Sequence, residues 1–313
     1  MSAEQLDNPV FYHQLEELEE EFEQVNLELL RQQDALNKNL YAKREKLAAQ
    51  IPNFWPLVFE QAPPDIDEYV QPSDAMILAT SLVNLSVERF ELPDGDPRSL
   101  SFRFEFSEND FFEDKVLEKK FWWRRHQDGW AGLVSEPVAI NWKKDQDVTG
   151  GMLDLVKKIW DEEQAGKAKD EETEAKRALK AQMEKTGLGG VSFFAWFGFC
   201  GRKVSAEDDK KAQELEQKKR KALREGKEVD VMDEDEEEDE DDDDDEYELE
   251  IFPTGDDLAV CIAEDLWHNA LKYFTQAQEE DGLSDADFES DAEDKMEEDE
   301  ADGGAPPNKK RKA

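Results

Sequence analysis

The chain has 313 residues, with 81 Asp and Glu against 39 Lys and Arg, a formal net charge of −42 at pH 7. Such a carboxylate excess argues against direct nucleic-acid binding through its acidic segments, because like charges repel and few counterions would be released. It has no run of the ~18 apolar residues a membrane helix needs, and its start, MSAEQLDNPV, lacks the basic and apolar regions of a secretory signal.

Residues 8–49 read as one long helix. Asp7 or Asn8 can cap it, and Pro9 suits its first position. Phe11, Leu15, Leu18, Phe22, Val25, Leu29 and Leu36 recur at intervals of 4, 3, 4, 3, 4 and 7, with Gln32 at the skipped position; Leu40 and Leu47 follow after a one-residue shift. This is a coiled-coil seam. Pro52 ends it. A rod of roughly 60 Å cannot bury its stripe on a small domain, and no second heptad helix of that length follows. The expected partner is another copy, so Phe11, Leu15, Leu18, Phe22, Val25, Leu29, Leu36 and Leu40 are the predicted dimer interface, in a segment spanning 1–50. The alternative is an amphipathic helix folded back on its own domain.

The segment 51–60, IPNFWPLVFE, predicts a short aromatic helix, and Pro63 to Pro72 a connector. Val83, Leu85 and Val87 then alternate with polar residues, as do Leu100, Phe102, Phe104 and Phe106 after the turn PDGDPRS. Two more strands are expected at Lys115–Arg124 and Val138–Lys143, separated by a turn near Asp128–Gly129. Four antiparallel strands with one polar face need helices on the other.

Gly150 and Gly151 break the sheet. Met152 to Lys185 is helix-prone with mixed charge, a surface helix or a partly ordered insertion. VSFFAWFGF (191–199) must be core or interface. Arg202 to Lys227 has ten bases and six acids and reads as a solvated helix or disordered. Asp233 to Glu246 is fourteen consecutive carboxylates, which no packed core can hold. Asp256 to Phe274 reads as a helix with Leu258, Ile262, Leu266 and Trp267 inside and Asp257, Glu264 and Asp265 outside. Beyond Gln278 the composition predicts disorder. The two acidic segments, 233–246 and 279–302, supply −27 of the net −42. A polyanion attached to a fold attracts polycations: histones, other basic nucleic-acid-binding proteins and polyamines.

No catalytic or phosphate-binding motif occurs. GLGG (187–190) lacks the residues of a phosphate cradle. Three His (His13, His126, His268) and two Cys give no zinc spacing, and the acidic run lacks the spacing of a Ca²⁺ loop. No enzyme, metal or cofactor is expected. Cys200 and Cys261 sit beside apolar residues and are read as buried, reduced thiols of an intracellular protein, with a disulfide or redox pair as the alternative. Tyr247 and Phe288 are each flanked by acids, a pattern that anchors in an apolar pocket of a basic partner; for Tyr247 local packing is the competing reading. Lys309, Lys310, Arg311 and Lys312 follow PPN and have the composition of a nuclear localisation signal, hence an importin partner. A basic tip folded back on the acidic tail is the alternative. Ser284 and Ser290 have acids one and three residues on, which suits phosphorylation by an acid-directed kinase.

The long N-terminal helix, IPNFW (51–55), FFEDKVLEKKF (111–121), VSFFAWF (191–197), DDLAVCIAEDLWHNALKYF (256–274) and the acidic tail together resemble the nucleosome assembly protein family. The match is greatest to its SET/Vps-type branch. The resemblance implies an α+β fold: a long N-terminal dimerisation helix, an earmuff domain (51–275) of a four-stranded antiparallel sheet over helices, with charged insertions at 152–189 and 201–246, and a disordered acidic tail (276–313). Two features depart from the SET branch: the insertion at 152–189 is large, and the acidic run precedes the last helix.

The reading this supports is a homodimeric, non-enzymatic nuclear histone chaperone, with shuttling to the cytoplasm as an option. Candidate histone-binding residues are Asp233, Glu234, Asp235, Glu236, Glu237, Glu238, Asp239, Glu240, Asp241, Asp242, Asp243, Asp244, Asp245, Glu246, Tyr247, Asp257, Glu264, Asp265 and Phe288. The alternatives are a regulator of an enzyme (a phosphatase inhibitor or a histone acetyltransferase cofactor) and a general acidic carrier or import adaptor for basic proteins.

Overall fold

The computed structural model describes residues 12–167, 171–186, 190–224 and 248–280. Helix α1, Tyr12–Ala48, has neither Gly nor Pro to interrupt it. A left-handed Asn53 (φ 57°) turns the chain into α2, Phe54–Glu60. Two helices follow: α3, Pro64–Asp67, inside the segment expected to be a connector, and α4, Pro72–Ser81, over residues for which no element is expected from the sequence. Pro72 sits at the first position of α4, and Gln71 with Asp74 forms a capping box.

The sheet is an antiparallel meander in the order β1-β2-β3-β4, made of Leu82–Glu88, Leu100–Phe106, Val116–Arg125 and Ala131–Ser135. Two strand expectations are corrected. A bulge between Leu82 and Asn84 takes Val83 out of the inward alternation and leaves it exposed, while Leu82, Leu85 and Val87 are buried. The fourth strand is Ala131–Ser135, because the turn before Trp130 folds it directly onto β3. Residues 138–143 instead cross to other elements: the Val138 amide donates to the Phe197 carbonyl, and Trp142 forms a single bridge with Phe112.

The inner sheet face packs on an aromatic core. VSFFAWFGF is a buried 3₁₀ helix, Phe193–Gly198. Trp196 lies 5.2 Å from Phe102 and 5.3 Å from Phe121, ring centre to ring centre, and all three are fully enclosed. Each such ring contributes roughly 1.5–3 kcal/mol through burial. Gly255 must be glycine: a β-carbon there would collide with the Phe199 ring, and its carbonyl takes the Trp196 indole N–H at 2.7 Å.

Two buried charges tie the 3₁₀ helix in place. Asp74 accepts from the Ser192 hydroxyl at 2.6 Å and the Phe193 amide at 2.7 Å; burial pushes its pKa up against these donors. Lys119, fully buried on β3, donates to the carbonyls of Glu136 (2.8 Å), Phe197 (3.1 Å) and Phe199 (2.5 Å). Desolvation lowers its pKa to about 8. The FFEDKVLEKKF and VSFFAWF segments are thus joined through Lys119.

The insertion forms two helices packed on each other, α5 (Met152–Gln164) and α6 (Glu174–Thr186). Helix α7, Ala206–Arg224, lies against β3, where Asp209 accepts from the Arg125 amide at 2.8 Å. The last helical segment starts as α8, Gly255–Cys261, passes through a π turn at Ile262–Leu266, and resumes over 270–280. Its inner stripe is Leu258, Ile262 and Leu266, all buried; Trp267 is half-buried. Cys200 and Cys261 are free and half-buried rather than fully buried, and burial drives the Cys200 thiol up to about 12.

Candidate functional site

Helix α1 carries two stripes with different uses. Leu15, Leu18, Phe22, Val25, Leu29, Leu36 and Leu40 form the apolar one, between 45% and 76% exposed. Leu47 extends it at 62%. A continuous exposed apolar stripe of this length marks a protein interaction surface. Phe11 lies outside the described residues.

The second stripe follows the same 3–4 spacing through Glu23, Leu27, Asn37, Tyr41, Arg44 and Ala48, and it faces the chain's own domain. Glu23 pairs with Arg98 at 2.6 Å and with Arg125 at 3.6 Å. Farther along, the Tyr41 hydroxyl meets His268 Nδ1 at 2.8 Å. Arg44 donates to the carbonyls of Trp267 (2.5 Å) and His268 (3.3 Å), just past the π turn. Its guanidinium lies 4.5 Å from the Trp267 ring centre and 4.9 Å from that of Tyr41; burial lowers its pKa to about 10. One face of α1 thus folds back on the chain's own domain, and the opposite apolar face is left exposed.

The acidic candidates divide. Asp257 is exposed on α8. Glu264 is held by Arg89 at 2.5 Å. Asp265 accepts from Asn269 Nδ2 and the Tyr273 hydroxyl, each at 2.9 Å, and burial, aided by the hydrogen bond and charge of Asp265, raises the Tyr273 pKa to about 12. Glu264 and Asp265 thus serve the fold. Beside them α3, packed against α8, presents exposed Asp65, Asp67 and Glu68. The two elements share one field: burial raises the Cys261 thiol pKa, and Asp65, Asp257 and Asp265 all add to the rise. The only sequence signal for α3 was PPDIDEY (63–69), whose acids look like those of a loop. Asp233 to Glu246, Tyr247, Ser284, Phe288, Ser290 and Lys309 to Lys312 lie outside the described residues. Among the described residues no group of His, Cys, Asp and Glu could hold a metal ion, and no helix is long and apolar enough to cross a membrane.

The family model of the nucleosome assembly protein matches residues 13–277. The chain belongs to the nucleosome assembly protein family. It is 27% identical over 282 residues to a Schizosaccharomyces pombe protein carrying the same family name, covering 90% of this chain and 86% of the relative. Identity to vacuolar protein sorting-associated protein 75 of Saccharomyces cerevisiae is 26% over 267 residues, 82% of this chain and 76% of that one. A crystal structure of Vps75 superimposes with a TM-score of 0.53 at 21% identity, over 85% of this chain and 98% of that chain. That likeness carries the fold: long helix, four-stranded antiparallel sheet and covering helices are the family's earmuff architecture.

Proposed function

We propose that the protein is a homodimeric histone chaperone that acts without ATP. The observation that carries this reading is a nucleosome-assembly-family fold attached to acidic segments that supply −27 of a net charge of −42. The solved Vps75, similar in fold, is itself named a histone chaperone. Two copies of α1 pair through the stripe from Phe11 to Leu40, which would bury the exposed leucines. Core histones are held by the acidic run from Asp233 to Glu246, with Tyr247 and Phe288 as aromatic anchors, and by the folded patch around Asp65, Asp67, Glu68 and Asp257. Carboxylates occupy basic histone surfaces and block misplaced contacts. DNA, a stronger polyanion, then takes the histone, so transfer runs down an affinity gradient. The protein's own role is non-enzymatic. Lys309 to Lys312 direct it to the nucleus through an importin.

The test is titration of the purified protein with each core histone pair, by fluorescence and light scattering, at about 0.15 M and 0.5 M salt. A saturable complex of fixed stoichiometry that weakens at high salt supports the reading. Absence of a saturable complex with either pair at the lower salt refutes it.

A further inference from the structure

Helix α7 gives one side to the sheet and the other to solvent. Asp209, Ala212 and Glu216 face β3: Asp209 holds the Arg125 amide, Ala212 is buried, and Glu216 lies 3.7 Å from the Arg125 guanidinium. At about 100° per residue, Lys210, Lys218 and Lys221 fall on the opposite side, and all three are exposed. Glu207 and Glu214 balance the first half of that side. The second half is unbalanced, because residues 217–224, QKKRKALR, hold five bases and no acid. Among the described residues Lys218, Lys219 and Lys221 have no ion-pair partner. The helix dipole favours bases in the last turn; Lys218 and Lys219 lie a turn earlier.

The chain that leaves this basic end is brought back past it. Residues 225–247 lie outside the described ones, but the point they return to is fixed. Buried Glu250 accepts from the amides of Cys200 (3.0 Å), Gly201 (3.2 Å) and Phe252 (3.2 Å), and Ile251 beside it is buried. Cys200 and Gly201 are just upstream of Ala206, where α7 begins. The 19 residues of α7 span about 28 Å. The connection from Arg224 to Glu250 must therefore run from one end of α7 back toward the other. Its last part is the acidic run, which ends at Glu246, four residues before the Glu250 clamp. Those fourteen residues reach up to ~50 Å when extended, enough to follow the whole helix. With only residues 225–232 between them, the run meets the α7 lysines at an effective concentration on the order of millimolar.

We infer that the outward lysines of α7 are the seat of this chain's own acidic run. Lys218, Lys219 and Lys221 pair with carboxylates of Asp233 to Glu246, and Lys210 extends the seat toward the start of the helix. Fourteen acids against five bases leave the run negative, so it still draws a polycation from a distance. A basic partner must displace the lysines to engage the whole run, which makes α7 a built-in competitor. Naming core histones as that partner rests on the chaperone reading; the contact itself does not.

The test uses the full chain. A zero-length carbodiimide reagent joins a carboxylate to an amine only where the two touch. In wild type it should link Lys210, Lys218, Lys219 or Lys221 to residues 233–246 within one chain, and less at about 0.5 M than at about 0.15 M salt. Absence of those links, or links only between isotope-labelled and unlabelled copies, would overturn the inference. Two triple variants then measure the competition. Lys218→Gln/Lys219→Gln/Lys221→Gln removes the seat. Lys115→Gln/Lys144→Gln/Lys158→Gln makes the same change in net charge at exposed positions outside α7. The first should bind a short peptide of lysine, arginine and alanine about fivefold more tightly than wild type, and the second less than about twofold. Equal gains would mean general attraction and overturn the inference. Core histones are titrated in parallel. If the peptide followed this pattern while histones failed to bind at about 0.15 M salt, the chaperone reading would fail and the α7 contact would stand.

Discussion

Replacing Lys119 with methionine removes the one charge that joins β3 to the 3₁₀ helix. Methionine keeps most of the volume but removes the ammonium donor from the carbonyls of Glu136, Phe197 and Phe199; Phe197 keeps the Val138 amide and Glu136 the Ser135 hydroxyl, so the Phe199 carbonyl is the buried acceptor left unpaired. Each buried acceptor left unsatisfied costs about 1–3 kcal/mol. Against this, the variant no longer buries a charge. A folded pKa of about 8 against an unfolded value near 10.4 makes that relief about 3 kcal/mol at neutral pH. The two effects nearly offset each other at pH 7, where the variant should lie within about 2 kcal/mol of wild type. The pH dependence carries a distinct signature. Because the folded pKa is depressed, the unfolded chain binds more protons between pH 8 and about 10.4, so wild-type stability gains with rising pH across that window. The variant lacks the gain, and the difference should move against it by up to about 3 kcal/mol. Urea melts followed by tryptophan fluorescence, at one protein concentration and at pH 7.5 and 9.5, read both effects. Parallel stabilities at the two pH values would refute the assignment of a buried, charged Lys119.

Three further outcomes follow from the surface features. Leu18→Glu/Phe22→Glu/Val25→Glu would place like charges in the seam at several kcal/mol each, so light scattering should report monomer or aggregate; a dimer of unchanged mass would locate the interface elsewhere. A fusion lacking Asn308 to Ala313 should become more cytoplasmic by microscopy, and an unchanged nuclear fraction would assign import to Lys210, Lys211 and Lys218 to Lys221, or to carriage with histones. Phosphorylation of Ser284 and Ser290 adds about −1.5 to −2 charge each and should tighten histone binding and steepen its salt dependence; equal affinities and slopes for phosphorylated protein and the Ser284→Ala/Ser290→Ala variant would remove that role.

Features set by local periodicity were legible in the sequence. The α1 stripe, β2, β3 and the inner face of the last helix announce themselves through spacing of 3–4 or 2. Helix α4 has Pro72 and the Gln71–Asp74 capping box at its start, but its ten residues carry little amphipathic periodicity and run straight into the alternation of β1. The fourth strand was misplaced because VAINWK has stronger strand propensity than AGLVS, and a tight turn overrode propensity. The polar stripe of α1 has no hydrophobic signature. Tyr41 and Arg44 find their partners, Trp267 and His268, more than 220 residues away. Nor does sequence say which acids are spent inside the fold: Glu264 and Asp265 look as free as Asp257 until Arg89, Asn269 and Tyr273 are placed beside them.

The central claim is that a folded acidic body and its acidic extensions bind core histones together. Deleting Glu279 to Ala313 changes the formal charge from −42 to −33 and leaves the run from Asp233 to Glu246 and the patch of Asp65, Asp67, Glu68 and Asp257 intact. Histone affinity of the full and truncated chains, measured at about 0.15 M and 0.5 M salt, tests the claim most directly. The account predicts weaker binding with a shallower salt dependence that remains measurable after truncation. Complete loss of binding would show that the folded body contributes nothing and would contradict it.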